Sequence, residues 1–248
     1  MLRFVVASSV VLSCFAFTIV QQNWTSCKID EVDAAHKKSD EFYAALKTYT
    51  MKLTYSSFKG HESILPYESS EGYYRYDNGR SHTYVQGIHT YVGDKYKLIV
   101  DSARKTMVVT DKPTELSSEL MQINYTNSKL YMTGTSKQVT NVATVYKMDF
   151  NDQVTYSSYS LSFATSGQLS DITVFYRKEY PSDPKSPGAP KLKPKLKVAF
   201  GVPNEKVTFN ANTEFNLTRF FTESKGNLKA TAAYSSYQLI DSRTSRKR

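Results

Sequence analysis

The stretch from 159 to 176, YSLSFATSGQLSDITVFY, constrains this chain more than any other. Tyr159, Leu161 and Phe163 alternate with Ser160, Ser162 and Ala164; beyond Ser166 and Gly167, Ile172, Val174 and Tyr176 alternate with Thr173 and Phe175. Neighbouring strand side chains point to opposite faces of a sheet. The pattern therefore predicts a hairpin with one apolar face, and how the chain covers that face decides its fold.

The same alternation recurs along most of the sequence. Met51, Leu53 and Tyr55 share a face opposite Lys52, Thr54 and Ser56. Gly72 to Val85 reads as a hairpin turned by Asn78-Gly79, a pair that suits a two-residue type I′ turn, with Tyr74 and Tyr76 on one side. A strand near Gly87 to Val92 precedes the Gly93-Asp94 turn and a strand carrying Tyr96, Leu98 and Val100. A short strand at Lys105 to Thr110 closes this run. Val142, Thr144, Tyr146 and Met148 lead into the opening hairpin; Leu196, Val198 and Phe200 alternate after it, and Ala230 to Ile240 supplies a last strand with Tyr234, Tyr237 and Leu239.

Two segments break the period. Ile29, Val32, Phe42, Leu46 and Tyr49 recur at helical spacing, which predicts an amphipathic helix from Ile29 to Tyr49 running into the first strand. Pro113 to Met121, PTELSSELM, predicts a short lid helix. No repeat of 20 to 50 residues appears.

About ten strands, each with two or three apolar side chains on one face, hold roughly 20 such groups, and each would cost about 1.5–3 kcal/mol if left in water. A 20-residue helix shields roughly 300 Å²; ten strands span on the order of 1,100 Å². One helix cannot roof that area. The expected fold is mainly β (α+β): an antiparallel curled sheet or incomplete β-barrel of about 10–11 strands with an N-terminal helix and a short lid helix. The residues expected to line its concave cavity are Met51, Leu53, Tyr55, Tyr74, Tyr76, Tyr96, Leu98, Val100, Tyr146, Met148, Leu161, Phe163, Val174 and Tyr176. Such a cavity suits acyl chains.

The N-terminus, MLRFVVASSVVLSCFAFTIV, sets Arg3 before an uncharged apolar run, the plan of an export signal over 1–22. Three fates remain open: removal, acylation at Cys14, or retention as an anchor. If Cys14 leaves, Cys27 is the remaining thiol and no internal disulfide forms. The expectation is an exported chain, periplasmic or membrane-associated on the periplasmic side, with one domain over 29–243 and a basic tail over 244–248.

The net charge of +9 would suggest nucleic acid were it spread over the surface. Lys185, Lys191, Lys193, Lys195 and Lys197 sit in one loop, and Arg243, Arg246, Lys247 and Arg248 at the end; without these the basic and acidic residues balance at 23 each. No nucleic-acid-binding motif is present. The Lys185–Lys197 loop is expected to be solvated, and it can meet a membrane surface or an envelope protein; the terminal arginines are expected to fray.

Nothing in the chain announces an enzyme, a cofactor or a metal. G-x-S-x-G, P-loop and G-x-G-x-x-G patterns are missing. His82 and His89, seven apart on neighbouring strands, do not have metal-ligand spacing and are expected at the surface. Glu68 and Glu71 read as solvated acids, and the N-x-[ST] triplets at Asn23, Asn124 and Asn216 are as frequent as chance allows. A pure packing role for the tyrosines, which are also good strand residues, keeps a second reading open: an envelope scaffold with a self-filled core.

The helix-to-strand junction DEFYAALKTYTMKLTYSSF, the second-strand motif GYYRY, the segment YKLIVDSARKTMVVTD and the closing PKLKVAFGV and AAYSSYQLIDSR together resemble the LolA/LolB-type periplasmic lipoprotein-carrier superfamily, especially its divergent relatives in Bacteroidetes-like bacteria. The likeness is one of layout over about residues 29 to 243. It implies an eleven-stranded incomplete barrel whose concave face binds the acyl chains of a lipoprotein or lipid, without enzymatic activity. The family's conserved arginine has no assignable counterpart here.

Overall fold

The computed structural model describes residues 23–113, 128–183, 185–186 and 188–244. The expected signal segment with Cys14, the expected lid helix after Pro113 and the last four residues of the tail lie outside the described residues.

The helical spacing becomes α1 (Ile29–Ala45). It ends where Leu46 turns extended, so β2 (Thr48–Phe58) begins within three residues, as the sequence predicts. A two-residue strand, β1 (Thr25–Ser26), precedes the helix. The first meander runs through β3 (Glu68–Asp77), β4 (Arg80–Val85), β5 (Ile88–Val92), β6 (Tyr96–Asp101) and β7 (Thr106–Asp111). The second runs through β8 (Met132–Val139), β9 (Ala143–Phe150), β10 (Tyr156–Ala164) and β11 (Leu169–Tyr176). The pairs Asn78-Gly79 and Gln86-Gly87 both have positive φ at each residue, which a type I′ turn requires.

The proline- and lysine-rich loop carries secondary structure of its own. Within it, β12 (Tyr180–Pro181) pairs with β13 (Lys191–Leu192) as a small ribbon before β14 (Lys195–Phe200). The chain then forms the short α2 (Ala211–Glu214), a second ribbon of β15 (Phe221–Ser224) and β16 (Asn227–Ala230), a single helical turn at Ala232–Tyr234, and β17 (Gln238–Asp241). The expected last strand from Ala230 thus shrinks to its final third.

Thirteen strands form one sheet in the order β1-β8-β9-β10-β11-β14-β2-β3-β4-β5-β6-β7-β17. It is curled and unclosed, as expected, with more strands than the 10–11 anticipated. It is also mixed, because β17 lies parallel to β7. The two meanders join where β14 pairs with β2, with Val198 opposite Tyr55 and Phe200 opposite Leu53. β7 and β8, consecutive in the chain, stand near opposite ends of the sheet.

α1 crosses the strands instead of following them. Glu31 near its start reaches Lys137 on β8, and Tyr43 near its end donates to Leu169 O and packs on Tyr49 of β2. Glu31 to Tyr43 covers about 18 Å along a helix axis, whereas the strand spacings from β8 to β2 come to about 24 Å when flat. Curvature toward the helix and the reach of Lys137 and Tyr43 close the difference. α1 therefore lies on the concave face, where Val32 is fully buried in one core with Met51, Leu53, Met148, Leu161 and Ile172.

A second core lies on the other face. Leu98, Val100, Met107 and Val109 are buried beneath Phe220 and Phe221, with Leu217, Leu228, Tyr234 and Leu239 around them. The C-terminal segment is thus a roof over the convex side. Arg243, expected to fray, pins it: its side chain is 5% exposed and donates to Asp241 at 2.7 and 2.8 Å, to Glu223 at 2.7 Å and to Gly226 O at 2.8 Å. Charged groups survive burial when every donor is paired, and the carboxylates of Asp241 and Glu223 supply that here.

Two predictions follow from the two cores and from one close approach. Leu161→Ala and Leu98→Ala should each destabilise the fold by about 2–5 kcal/mol, and the double variant should match their sum within about 0.5 kcal/mol, read from urea midpoints. A Cβ on Gly72 would stand 2.2 Å from Tyr84 O, while one on Gly134 meets nothing within 4 Å. Gly72→Ala should therefore cost about 1–3 kcal/mol in the same assay, with Gly134→Ala near neutral.

Candidate functional site

The side chains of two directly opposed strand residues share a face, so the register assigns each residue of β2–β7 to one side. Met51 faces Tyr74 and Tyr49 faces Tyr76; Tyr74 then faces Thr83, Thr83 faces Thr90, Thr90 faces Ile99, Ile99 faces Val108 and Val108 faces Ile240. This row is concave throughout. Met51, Leu53, Tyr55, Tyr74, Tyr76, Tyr146, Met148, Leu161, Phe163, Val174 and Tyr176 all belong to the concave core or pack against it.

Tyr96, Leu98 and Val100 do not. Leu98 is opposite Tyr91 and Val109, Val100 is opposite His89 and Met107, and all lie on the convex face with the roof. A common cavity face for these three is therefore corrected. An alternating strand shows which residues share a side, but the side itself is inherited through the turns. Counting parity from Tyr74 across Asn78-Gly79, Gln86-Gly87 and the Gly93-Asp94 turn would have reached Ile99, not Leu98; that signal was present in the sequence.

Under α1 the concave face is filled. Met51, Leu53, Tyr74, Met148 and Leu161 are each at most 1% exposed. Beyond α1 the face is covered in part: Ser81 and Val92, in the row of Tyr76, are each 1% exposed. No residue of β4–β7 or β17 joins the concave core among the described residues, and the row from Tyr74 continues through Thr83, Thr90, Ile99 and Val108, all half-buried, to Ile240 at 37% exposure. Val85 and Ile88 lie one row over, and Ile88 is 39% exposed. The result is an apolar track crossing the strands, about 24 Å long over its inter-strand steps. Beyond Tyr74, sequence reasoning missed its members because each looked like the polar or minor side of its own strand.

The convex face carries a dense polar cluster. His82, expected at the surface, is 4% exposed. Its Nδ1–H donates to Glu214 Oε1 at 3.1 Å, which leaves Nε2 to accept from His89 Nδ1–H at 3.0 Å. The ring stacks on Tyr91 with centroids 4.1 Å apart. Arg75 pairs with the same Glu214 and lies over the Tyr73 ring. Burial pushes the His82 pKa down to about 4 despite the Glu214 carboxylate, and burial also lowers that of His89. Burial would raise Glu214, yet the hydrogen bonds from Arg75 and His82 together hold it below its usual value. The cluster ties the roof to the sheet; among the described residues no group of three or more His, Cys, Asp or Glu side chains is placed to hold a metal ion.

Beside it, a cleft of about 560 Å³ opens between the Gly93–Tyr96 turn and the roof, lined by Phe215, Leu217 and Phe221 with Arg80, Lys95 and Glu223. It lies on the convex side, apart from the concave track. Among the described residues no helix is long and apolar enough to cross a membrane.

No protein-family model matches the chain, and no curated protein sequence matches it. Among solved structures it is similar to the lipoprotein LppX of Mycobacterium tuberculosis, at 12% identity and a TM-score of 0.38 over 73% of this chain and 99% of that one. It is also similar to a LolA superfamily protein from Nitrosomonas europaea, at 9% identity and a TM-score of 0.34 over 75% and 97%. A DUF1329 family protein from Desulfovibrio piger gives 9% identity and a TM-score of 0.35 over 75% and 98%. The LolA superfamily is the one the sequence resembles; likeness at these scores carries no argument about what this chain binds.

The buried histidines set a pH dependence. His82 and His36 are both driven to about 4 by burial, against about 6.5 in an unfolded chain. Below pH 6.5 the unfolded state takes up protons that the folded state refuses, so stability is complete above that value and is lost as pH falls toward 4. The urea midpoint should drop steadily from pH 7 to pH 4.5, and His82→Gln should flatten about half of that slope. A parent profile level over this range would contradict the placement of both rings.

Proposed function

We propose that the chain is an exported, non-enzymatic carrier or receptor that holds the acyl chains of a lipid or lipoprotein on the concave face of its sheet. One observation carries the reading: the concave track from Tyr74 through Ile99 and Val108 to Ile240 extends beyond the helix that fills the rest of that face. Apolar surface left half-covered in a row, with threonine methyls between the larger groups, offers an extended hydrocarbon a continuous contact without a deep pocket. Contiguous apolar patches of a few hundred Å² mark interaction sites on soluble proteins. No catalytic constellation is needed, since holding and releasing a chain breaks no bond.

Of the fourteen side chains named from the sequence, those beneath α1 serve chiefly as core, and the track lies further along the sheet. The filled half, with Met148 and Met51 almost fully covered, favours the second reading for that part of the molecule: a scaffold whose core is its own. The basic loop as a contact for envelope proteins belongs to that reading.

The two separate on cargo. Protein recovered from its native host and extracted with solvent should yield fatty-acyl species by mass spectrometry, and should take up a fluorescent fatty acid. Ile99→Asp should reduce that uptake at least tenfold, whereas Tyr180→Ser, far from the track, should leave it unchanged. A clean extract with no uptake would leave the scaffold reading.

A further inference from the structure

The loop joining β2 to β3 is built to be seen from outside. Ile64 is 90% exposed, Leu65 81% and Tyr67 67%, three large apolar or amphipathic side chains within four residues. The base of the loop is nonetheless fixed: His61 Nε2–H donates to Tyr176 O at 3.0 Å, Lys195 Nζ donates to His61 O at 2.7 Å, and the His61 ring sits edge-on to Phe175. A held base with an apolar tip differs from a frayed polar loop.

Register places a second loop beside it. Lys195 pairs with both Phe58 and Phe175, so the segment between β11 and β14 leaves the sheet at the same end as the β2–β3 loop. That segment adds Tyr180, 49% exposed, and the exposed Lys178, Lys185, Lys191 and Lys193. Lys59 lies over the Tyr67 ring at 4.6 Å and Lys178 over the Tyr180 ring at 5.3 Å. The acids on the loops at this end are Glu62, Glu68, Glu179 and Asp183, with Asp152 on the neighbouring β9–β10 turn, and none falls from 184 to 197. Apolar side chains flanked by lysines match the two layers of an anionic lipid surface, acyl boundary below and phosphate above. Tyrosine ring-to-hydroxyl polarity suits the boundary between them.

We propose that this end of the sheet docks on an anionic membrane surface, with Ile64, Leu65 and Tyr67 entering the headgroup layer and the Lys185–Lys193 segment meeting lipid phosphate. The opposite end offers a control: Val139 and Val142 are 66% and 68% exposed at the β8–β9 turn, where residues 138 to 146 include no lysine.

The test is flotation of the full chain, as recovered after export, with vesicles of phosphatidylcholine alone or with 30% (~a third) phosphatidylglycerol, a composition chosen for surface charge. The parent chain should float with the anionic vesicles. The double variant Ile64→Ser/Leu65→Ser should lose at least tenfold in binding, Lys185→Gln/Lys191→Gln/Lys193→Gln should lose most of the preference for anionic over neutral vesicles, and Val139→Ser/Val142→Ser should behave as the parent. Unchanged thermal melts would show that each variant folds, as expected for side chains this exposed. Failure of the parent to bind, or binding by the tip variant equal to the parent's, would overturn the proposal; in the latter case another segment makes the contact. No cargo is present in this assay, so docking and lipid carriage fail separately.

Discussion

Every strand residue commits its side chain to one face, and a two-residue turn passes that commitment unchanged to the next strand. Across β2 to β7 this parity runs without interruption, since those pairings contain no bulge. The consequence is a sheet whose apolar groups change sides relative to chain order. β2 and β3 bury their best side chains inward, whereas β6 and β7 bury theirs outward. A single cover cannot serve both, and the architecture is the answer: one helix inside, one C-terminal roof outside.

The inner cover works by crossing the strands. Because α1 reaches from Glu31 at Lys137 to Tyr43 at Leu169 and Met51, one helix bridges six strands and draws them round itself. Its length then limits what it can shield, and the face beyond β3 is left with a half-covered row. Core and candidate site are therefore the same face, divided by the end of a helix.

The outer cover is held by electrostatics as much as by grease. Phe220 and Phe221 supply the apolar contact, but Arg243 and Glu214 fix the roof's two ends to the sheet through Glu223, Asp241, Arg75 and His82. Removing any one of these takes a partner from a buried or half-buried charge, which is costly in a poorly solvated place. The convex side is accordingly a structural seam, and the histidines on it are neutral parts of a clamp.

Much of this was written in the residue order. Alternation around Gly167 and around Asn78-Gly79, the helix leading into Thr48, and an apolar surface too large for one helix are local or additive properties, set by side-chain period and turn chemistry; they determined a mainly β curled sheet with concave Met51, Leu53, Tyr74, Met148 and Leu161. What tertiary structure alone decided was which strands would meet and which face each would show. β14 beside β2, β17 parallel to β7, Arg243 under the roof and the Ile64 loop beside the lysines are contacts between segments far apart in the chain, and no local period encodes them. The side taken by Leu98 belongs between the two: its parity could be counted, but only the roof of Phe220 and Phe221 made that side an interior.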